Sequence, residues 1–566
     1  MKLETKLLSS IDKVFPNRVD SSLTLPAVFL ANAPFSFQVA FRLAETGVCP
    51  IYVRVESDLP LSVIAEYKIG FVPVIHSPEA KTENYYDVER TGMIPDPLLR
   101  RQTDCRVADE GFWRPRYFEE NEKCLLNAVG DSWQGLWFTI NEDGTSLEAG
   151  QHTVTVRFYE SATAGEIGSQ TLTLEILPAV LPPQKLLYTS WFHCDCLADL
   201  YGVEMFSDRH FEIIRSYAAE AAKTGMNMIL LPAFTPPLDT SVGKERPTAQ
   251  LVGVEKTADG YVFDFTLLER YVEICRSVGV THFEHSHFFT QWGCHHAPKV
   301  IATANGEKTR IFGWDTDALS EEYIGFLKAY LAALMPELDK LGLRDKLLFH
   351  ISDEPVGGKD GDYVRAYEAI KDAFCGIPSG DALSHYSIYE RSNADIPIVA
   401  VDSKDMPRFC ENCKNFWLYY TGSQGYAGFP NRVTTNRALQ NRIIGLFLYL
   451  WKAKGFLHWG YNYYYDFMSH GIHNPLLEPG VFDDMPGTSY MVYPAADGTA
   501  IPSARMKVQY EGFCDHRAFL ALEEKIGREA VISLVEAHLG RDPLSKPHTN
   551  ASYLALMREV TERLGK

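Results

Sequence analysis

Hydrophobic and polar positions follow two successive patterns along the chain. From about Leu23 to Leu177 they alternate, as in Val154-Thr155-Val156-Arg157-Phe158 and Leu172-Thr173-Leu174-Glu175-Ile176, with turns such as Asn141-Glu142-Asp143-Gly144 between runs. A period of two predicts strands buried on one face, and here an antiparallel β-sandwich. Pro178, Pro182 and Pro183 then remove ladder donors and fix φ, which sets an expected domain boundary there, closing a sandwich domain at 1–180.

Beyond the prolines, short apolar runs alternate with stretches of helical period. The predicted strands are Leu186–Trp191, Asn227–Pro232, Thr281–Ser286, Leu347–Ser352, Ala382–Tyr386, Pro397–Val401, Phe416–Tyr420 and Phe456–Gly460. Between them, Ile324, Leu327, Leu331 and Leu334 mark a helix over 321–341 that stops at Gly342, and Gly225 and Gly279 sit where other helices end. Thr266 and Glu269 have the spacing of a capping box. Strands separated by helices imply parallel pairing, and eight of them match a (β/α)8 TIM-type barrel over 184–487. Residues 488–566, with helical segments from Ser503 to Leu522 and Arg528 to His538, are expected to form a C-terminal helical cap on the barrel, closing its C-terminal side. The fold class is α/β, with the sandwich in front.

The chain has 566 residues, enough for two or three domains, and 46% hydrophobic residues, enough for extended cores. Its formal charge of −19 repels phosphate backbones and anionic lipid, which excludes nucleic acid and a membrane surface as expected partners and favours a neutral substrate. Residues 1–20 carry no apolar stretch of signal-peptide length, and no later segment is apolar enough to span a bilayer, so a cytoplasmic location is expected. Eleven cysteines then read as reduced thiols. An assembly of copies of the chain stays open.

The candidate chemistry is an adjacent acid pair, Asp353-Glu354, after the fourth predicted strand and before Pro355. The C-terminal edge of a parallel sheet is where α/β enzymes carry their sites. A lone Asp-Glu-Pro triplet is more often a solvated loop, but its place after a buried strand reverses that weighting. Other elements carry the same signature. Pro95-Asp96-Pro97-Leu98-Leu99, Ser352-Asp353-Glu354-Pro355, Trp417-Leu418-Tyr419-Tyr420, Gly455-Phe456-Leu457-His458-Trp459-Gly460-Tyr461-Asn462, and Tyr493-Pro494 through Asp497-Gly498 to Ser503 and Arg505 stand in the order and spacing of landmarks of one family. The chain resembles glycoside hydrolase family 123, whose catalytic region is also called domain of unknown function 4091. The resemblance implies a sandwich followed by a (β/α)8 barrel, no cofactor, and β-N-acetylgalactosaminidase activity. It also implies substrate assistance: the 2-acetamido oxygen attacks the anomeric carbon, Asp353 steadies the acetamido group, and Glu354 is the acid/base.

Neighbouring residues reach opposite faces of a sugar with difficulty, whereas retaining enzymes with two carboxylates hold them about 5–5.5 Å apart across the bond. A like charge beside Glu354 is expected to keep it protonated while Asp353 stays ionised. Pro355 is expected to bias Glu354 toward extended backbone, and consecutive strand residues point to opposite faces, so the strand must unwind for both to act.

Around the barrel mouth, Trp191, His193, Tyr419, Tyr420, Trp459, Tyr461 and Asn462 are candidate sugar-binding residues, each weighed against a packing role. The run Tyr463-Tyr464-Tyr465 has barrel core as its plain alternative, and His285 and His287 a hydrogen-bonded core role. Cys410-Glu411-Asn412-Cys413, His193-Cys194-Asp195-Cys196 and Cys294-His295-His296 contain metal-ligand residue types, but a single C-x-x-C lacks its second pair, so no metal is expected. The rival readings are a retaining or inverting glycosidase for sugars without an acetamido group, with Asp195 or Asp402 as second carboxylate, and a catalytically silent carbohydrate-binding protein.

Overall fold

The computed structural model describes residues 2–74, 92–100, 118–120, 123–161, 165–355, 360–392, 394–478, 480, 485–544 and 547–566. Two N-terminal sheets come first. One has five antiparallel strands in the order Leu3–Ser9, Phe35–Leu43, Gln134–Ile140, Ile64–Val74, Gly92–Arg100. The other has six, in the order Ala27–Leu30, Glu166–Leu177, Gly150–Tyr159, Val48–Ser57, Lys123–Val129, Phe118–Glu120. Alternation works as the pattern requires: Val154, Val156, Phe158, Leu172, Leu174 and Ile176 are buried in one core with Phe37, Phe41 and Phe138 of the first sheet. One pair departs from an all-antiparallel plan, since Ala27–Leu30 runs parallel to Glu166–Leu177. A connection of more than a hundred residues frees that pair from the hairpin constraint.

Eight short parallel strands follow: β1 (Leu187–Ser190), β2 (Met228–Leu231), β3 (His282–His285), β4 (Leu347–Phe349), β5 (Gly380–Ala382), β6 (Ile396–Ala400), β7 (Trp417–Tyr419) and β8 (Gly455–His458). They form a five-stranded sheet, β1-β8-β7-β6-β5, and a three-stranded sheet, β2-β3-β4. Side chains and single bridges connect the two. At one edge the Asn227 amide accepts from the Tyr188 N–H (2.9 Å) and donates to the Leu186 carbonyl (3.0 Å), doing between β1 and β2 what a ladder would do. At the other, Phe349 bridges to Ser379 and its N–H donates to the Pro378 carbonyl at 3.0 Å. Met228, Leu230, Leu348, Ile398, Trp417 and Leu457, drawn from both sheets, share one buried cluster, while their neighbours Ile229, Leu231, Leu347, Val399, Leu418 and Phe456 pack into another with the helices.

The predicted fifth strand needs correction. It ends at Ala382, and Tyr386 opens the helix Tyr386–Ser392, its N–H held by Asp405 Oδ2 at 2.9 Å. Helix Thr266–Ser277 begins without a capping box, because Asp264 Oδ1 takes both the Thr266 N–H and its hydroxyl. Gly225, Gly279 and Gly342 do stand at helix ends with positive φ.

The C-terminal helices are Ala504–Ile526, Arg528–Leu539 and Asn550–Gly565, the last of them unanticipated. The first does not close the C-terminal side of the strands. Gln509 bonds the Tyr188 and Tyr420 hydroxyls, and Phe513 packs on Tyr188 and Phe456, so the helix lies along the outward face of β1 and β8. Gly445 and Gly512 let the same helix approach the helices Ala438–Arg442 and Ile444–Trp451 closely, since a Cβ on Gly445 would strike the Gly512 backbone and one on Gly512 the Arg442 backbone.

Candidate active site

Strand β4 stops at Phe349, and the chain unwinds before the acid pair. Glu354 has φ +42°, in the left-handed region, which breaks the strand's alternation and lets both carboxyls lie on one side. That corrects the extended backbone expected before Pro355: proline disfavours the right-handed helical region at the preceding residue, and the turn is met on the left-handed side instead. Such a conformation costs a residue with a Cβ about 1–2 kcal/mol, which the packing around it must supply. Trp292, also left-handed at φ +60°, donates its N–H to the Asp353 carbonyl at 2.9 Å, and Ser352 Oγ donates to the Thr290 carbonyl at 2.8 Å. The loop after β3 thus holds the loop after β4.

Both acids are partly open to solvent, while protein surrounds them on most sides. Glu354 Oε1 accepts from the Tyr419 hydroxyl at 2.8 Å, and that hydroxyl receives a second bond from Ser384 Oγ at 3.2 Å. Burial pushes the Glu354 carboxyl up, and the Tyr419 bond moderates the rise. Asp353 is pushed further, well above the ordinary range, by burial first and then by Glu354, Asp239 and Asp381. Both carboxyls are thus held toward their protonated forms, so the free recess does not by itself keep Asp353 ionised as expected. The physical reason is that, among the described residues, no donor reaches the Asp353 carboxyl, whereas Glu354 has one.

Asp239, from the loop after β2, is a third acid in this group, and no sequence pattern marks it. Its own backbone is left-handed at φ +49° and fully engaged: the N–H donates to Gln291 Oε1 (2.7 Å), and the carbonyl accepts from Ser469 Oγ (2.7 Å) and Tyr463 OH (3.1 Å). Burial, with Glu354 adding, raises its carboxyl from 3.8 to about 6. A raised carboxyl contributes stability while protonated and loses it as pH climbs through the folded value. Asp239→Asn should accordingly leave the melting temperature unchanged near pH 4 and raise it at pH 8, by about 1–3 kcal/mol of stability. A variant destabilised equally at both pH values would contradict this.

Sequence-predicted residues divide sharply. Tyr419 touches Glu354, and Trp191, 2% exposed, sets its indole edge-on to His287 at 5.0 Å with no partner for Nε1 among the described residues. Trp459, half-buried at the end of β8, lies across Tyr463 at 5.4 Å. The others serve the scaffold. Tyr420 points outward to Gln509, as alternation with Tyr419 demands. Tyr461 stacks on Phe192 and donates to the Tyr217 carbonyl at 2.9 Å. Asn462 spends its amide on the His193 N–H and carbonyl. His193 places Nε2 against the Trp459 carbonyl and Nδ1 against Arg246, and burial and that cation hold it neutral, with its pKa down at about 4. Tyr464 and Tyr465 bond Val492 and Asp199. His285, as in its plain reading, bonds Tyr330 in the core.

The rival second carboxylates fare differently. Asp195 is buried and clamped by Arg246 through both oxygens (2.7 and 2.8 Å), which ties its charge to that guanidinium. Asp402 is exposed and bonded to Gln424 at 3.1 Å. None of the described cysteines is paired with another. Among the described residues, His287, His350 and Asp381 place donor atoms within 4.8 Å of one another, but both His350 nitrogens already face carboxylates.

A chain with an acid pair at this strand end fits a known catalytic family. Its model, glycoside hydrolase 123, catalytic domain, matches residues 191–522. The chain belongs to the glycoside hydrolase 123 family. A solved family 123 glycoside hydrolase from Clostridium perfringens, described for its hydrolysis of glycolipid glycans, is similar over 100% of this chain and 97% of its own, with a TM-score of 0.71 at 14% identity. That likeness establishes the shared fold. A β-glucuronidase from Bacteroides uniformis matches 88% of this chain and 49% of its own at 9% identity, but a TM-score of 0.30 carries no argument. No curated protein sequence matches the chain. As a family 123 member the protein is a glycoside hydrolase, its substrate a carbohydrate. Among the described residues, no helix is long and apolar enough to cross a membrane.

Proposed function

We propose that this glycosidase removes terminal β-linked N-acetylhexosamine, with N-acetylgalactosamine preferred, by retaining, substrate-assisted catalysis through an oxazolinium intermediate. The carrying observation is that Asp353 and Glu354 are adjacent on one loop with a left-handed turn at Glu354, and their carboxyls lie close enough for Glu354 to raise Asp353. Adjacent acids on one loop serve one side of a sugar. The missing nucleophile on the other side is then the substrate's own acetamido oxygen, a recognised exception to the two-carboxylate scheme. Binding supplies what Asp353 lacks: an acetamido N–H donated to its carboxyl favours the ionised form, leaving the proton on Glu354. Glu354 then protonates the leaving oxygen, and Asp353 stabilises the cationic oxazolinium ring. Trp191 Nε1 and Gln291 Nε2, buried and without a partner among the described residues, are suited to the sugar's polar groups. The preference for the galacto configuration rests on the family resemblance.

The scaffold of this reading is a (β/α)8 barrel of which the five- and three-stranded sheets are two arcs. Asn227, the Phe349–Ser379 bridge and the shared inner cluster support it. The two N-terminal sheets and the C-terminal helices are read as a sandwich domain and a helical domain packed on it.

A second reading has one observation in its favour. Asp239 faces the pair from a different strand and could act as a carboxylate nucleophile on sugars without an acetamido group. Asp239→Asn separates the two: it should leave most activity on 2-acetamido substrates if the oxazolinium forms, and abolish turnover if Asp239 is the nucleophile.

Tyr419→Phe tests the acid directly. The lost bond favoured the ionised form of Glu354, so its removal should raise the Glu354 pKa and move the basic limb of kcat upward by about 0.5–1 pH unit. An unmoved basic limb would argue that some other group donates the proton.

A further inference from the structure

Beneath the acid pair lies a layer of ionisable groups that the proposed chemistry does not use. His350, three residues before Asp353, is 1% exposed. Its Nε2 faces Glu284 Oε2 of β3 at 2.8 Å, and its Nδ1 faces Asp381 Oδ1 of β5 at 3.2 Å. Both carboxylates are also fully buried, and each is held in turn. Thr189 of β1 donates its hydroxyl to Glu284. Tyr363 donates to Asp381 at 2.7 Å, and the Ile351 N–H reaches both Asp381 oxygens at 3.0 and 3.1 Å. The layer therefore spans β1, β3, β4 and β5.

An imidazole between two carboxylates cannot satisfy both as a neutral ring, because one nitrogen would then present a lone pair to an oxygen. With both carboxyls ionised, both nitrogens donate and the ring is a cation. Burial alone would drive its proton off, but the bonds to Asp381 and Glu284 outweigh that and hold its pKa up at about 10. The surrounding histidines do not share the role: His285 and His287 are pushed to the neutral form by burial, with the charge on His350 adding to it. His287 stacks on His350 with ring centroids 4.5 Å apart.

We propose that His350, fixed as an imidazolium between Glu284 and Asp381, is a positioning residue for the acid pair: it anchors the base of the Ile351–Glu354 turn and supplies the buried positive charge against which Asp353 ionises. This rests on the reading of Asp353 as the acetamido stabiliser. The geometry gives it two routes. One is mechanical, since the Phe288 N–H bonds the His350 carbonyl (3.1 Å) and the Phe289 N–H the Ile351 carbonyl (2.9 Å), tying the loop after β3 to the segment that His350 holds. The other is electrostatic. Facing Asp353 are Glu354 from its own loop, Asp239 from the loop after β2 and Asp381 from β5, all acidic, with His350 as the opposing cation. Without it, ionising Asp353 would place a further charge in a recess already crowded with them.

Two experiments separate this from a merely structural role. The first needs no substrate. With histidines labelled in 15N, His350 should show both ring nitrogens protonated at pH 8, in signals absent from His350→Gln. A neutral His350 at pH 8, or a divalent metal retained stoichiometrically by the cluster after dialysis, overturns the proposal. The second follows kcat/KM against pH on a 4-nitrophenyl β-N-acetylhexosaminide. His350→Gln, which can donate to only one carboxylate and carries no charge, should move the acidic limb upward by about one unit, with kcat falling at least about tenfold and KM changing little. Glu284→Gln, which keeps a partner for the ring, should fall between the variant and the wild type. If His350→Gln lowers thermal stability and active fraction but leaves the limb in place, the residue is structural and the proposal fails. Wild-type inactivity on every 2-acetamido sugar would instead sink the underlying functional reading, and the 15N result would still stand on its own.

Discussion

Glu354→Gln should lower kcat by about 10²–10⁴ on glycosides with poor leaving groups, and by far less on 2,4-dinitrophenyl glycosides. An alkoxide leaving group needs a proton in the transition state, and a dinitrophenolate does not. Gln is isosteric with the protonated acid and keeps a hydrogen-bond donor, but it cannot surrender the proton. The Tyr419 hydroxyl can turn toward the new amide oxygen, so the loop should keep its shape. Steady-state rates across a leaving-group series give the test. A steep dependence on leaving-group pKa in the variant, against a shallow one in the wild type, is the expected result. A uniform loss at every leaving group would move the acid role elsewhere, and Asp239 would be the first place to look.

Asp96→Ala should destabilise the fold by about 3–5 kcal/mol, the range for breaking a buried ion pair from one side. Asp96 lies on the N-terminal strand Gly92–Arg100, 1% exposed, and takes the Tyr493 hydroxyl at 2.5 Å and Arg505 Nε at 2.9 Å. Arg505, on helix Ala504–Ile526, also donates to the carbonyls of Arg432, Gly487 and Tyr490. Alanine would strand a guanidinium in a dry interior, its charge no longer countered. Asp96→Asn, which can still accept one bond, should lose less. Urea unfolding followed by fluorescence measures both, and KM of the folded fraction should stay near the wild-type value because Asp96 bonds Tyr493 and Arg505 and is not among the charges acting on Asp353. A loss under about 1 kcal/mol for the alanine variant would mean that solvent or a neighbouring acid replaces Asp96 readily.

That ion pair also explains why part of the chain was legible beforehand. Pro95-Asp96-Pro97, Tyr493, Ser503 and Arg505 were recognisable as scattered landmarks; folded, they meet at one point, where Pro97 bridges to Ser503 and Asp96 holds Tyr493 and Arg505. The parallel strands were legible because each is a short apolar run between helical stretches, and the acid pair because two charges end such a run. What the pattern left open was parity and partner. Tyr419 and Tyr420 look alike in sequence, yet only the register of β7 decides which faces Glu354. His193, Tyr461 and Asn462 have the polarity of ligand-binding residues, but His193 and Asn462 satisfy backbone of neighbouring loops and Tyr461 the Tyr217 carbonyl of helix Asp208–Lys223.

Other features had signals that were passed over. A charged residue inside the apolar run Phe283-Glu284-His285 is rare in a buried strand without a partner, which is what Glu284 has in His350. The four-stranded sheet of Gly260–Asp264, Gly253–Thr257, Val300–Ala304 and Glu307–Phe312, two hairpins joined by a parallel pair, was missed although Asn305-Gly306, both at positive φ (+51° and +83°), is a strong two-residue hairpin signal. Asp239 had none, since Pro236-Pro237-Leu238-Asp239 reads as an ordinary loop. Its place beside Glu354 depends on tertiary bonds from Gln291, Ser469 and Tyr463.

The central claim is that the acid pair acts with the substrate's acetamido group. Initial rates on matched 4-nitrophenyl β-glycosides of N-acetylgalactosamine, N-acetylglucosamine, galactose and glucose test it most directly, with Glu354→Gln and Asp353→Asn measured alongside. The account predicts turnover confined to the 2-acetamido sugars, greatest for N-acetylgalactosamine, and sharply reduced by Asp353→Asn. Turnover of the plain sugars at comparable rates, unaffected by Asp353→Asn, would contradict it.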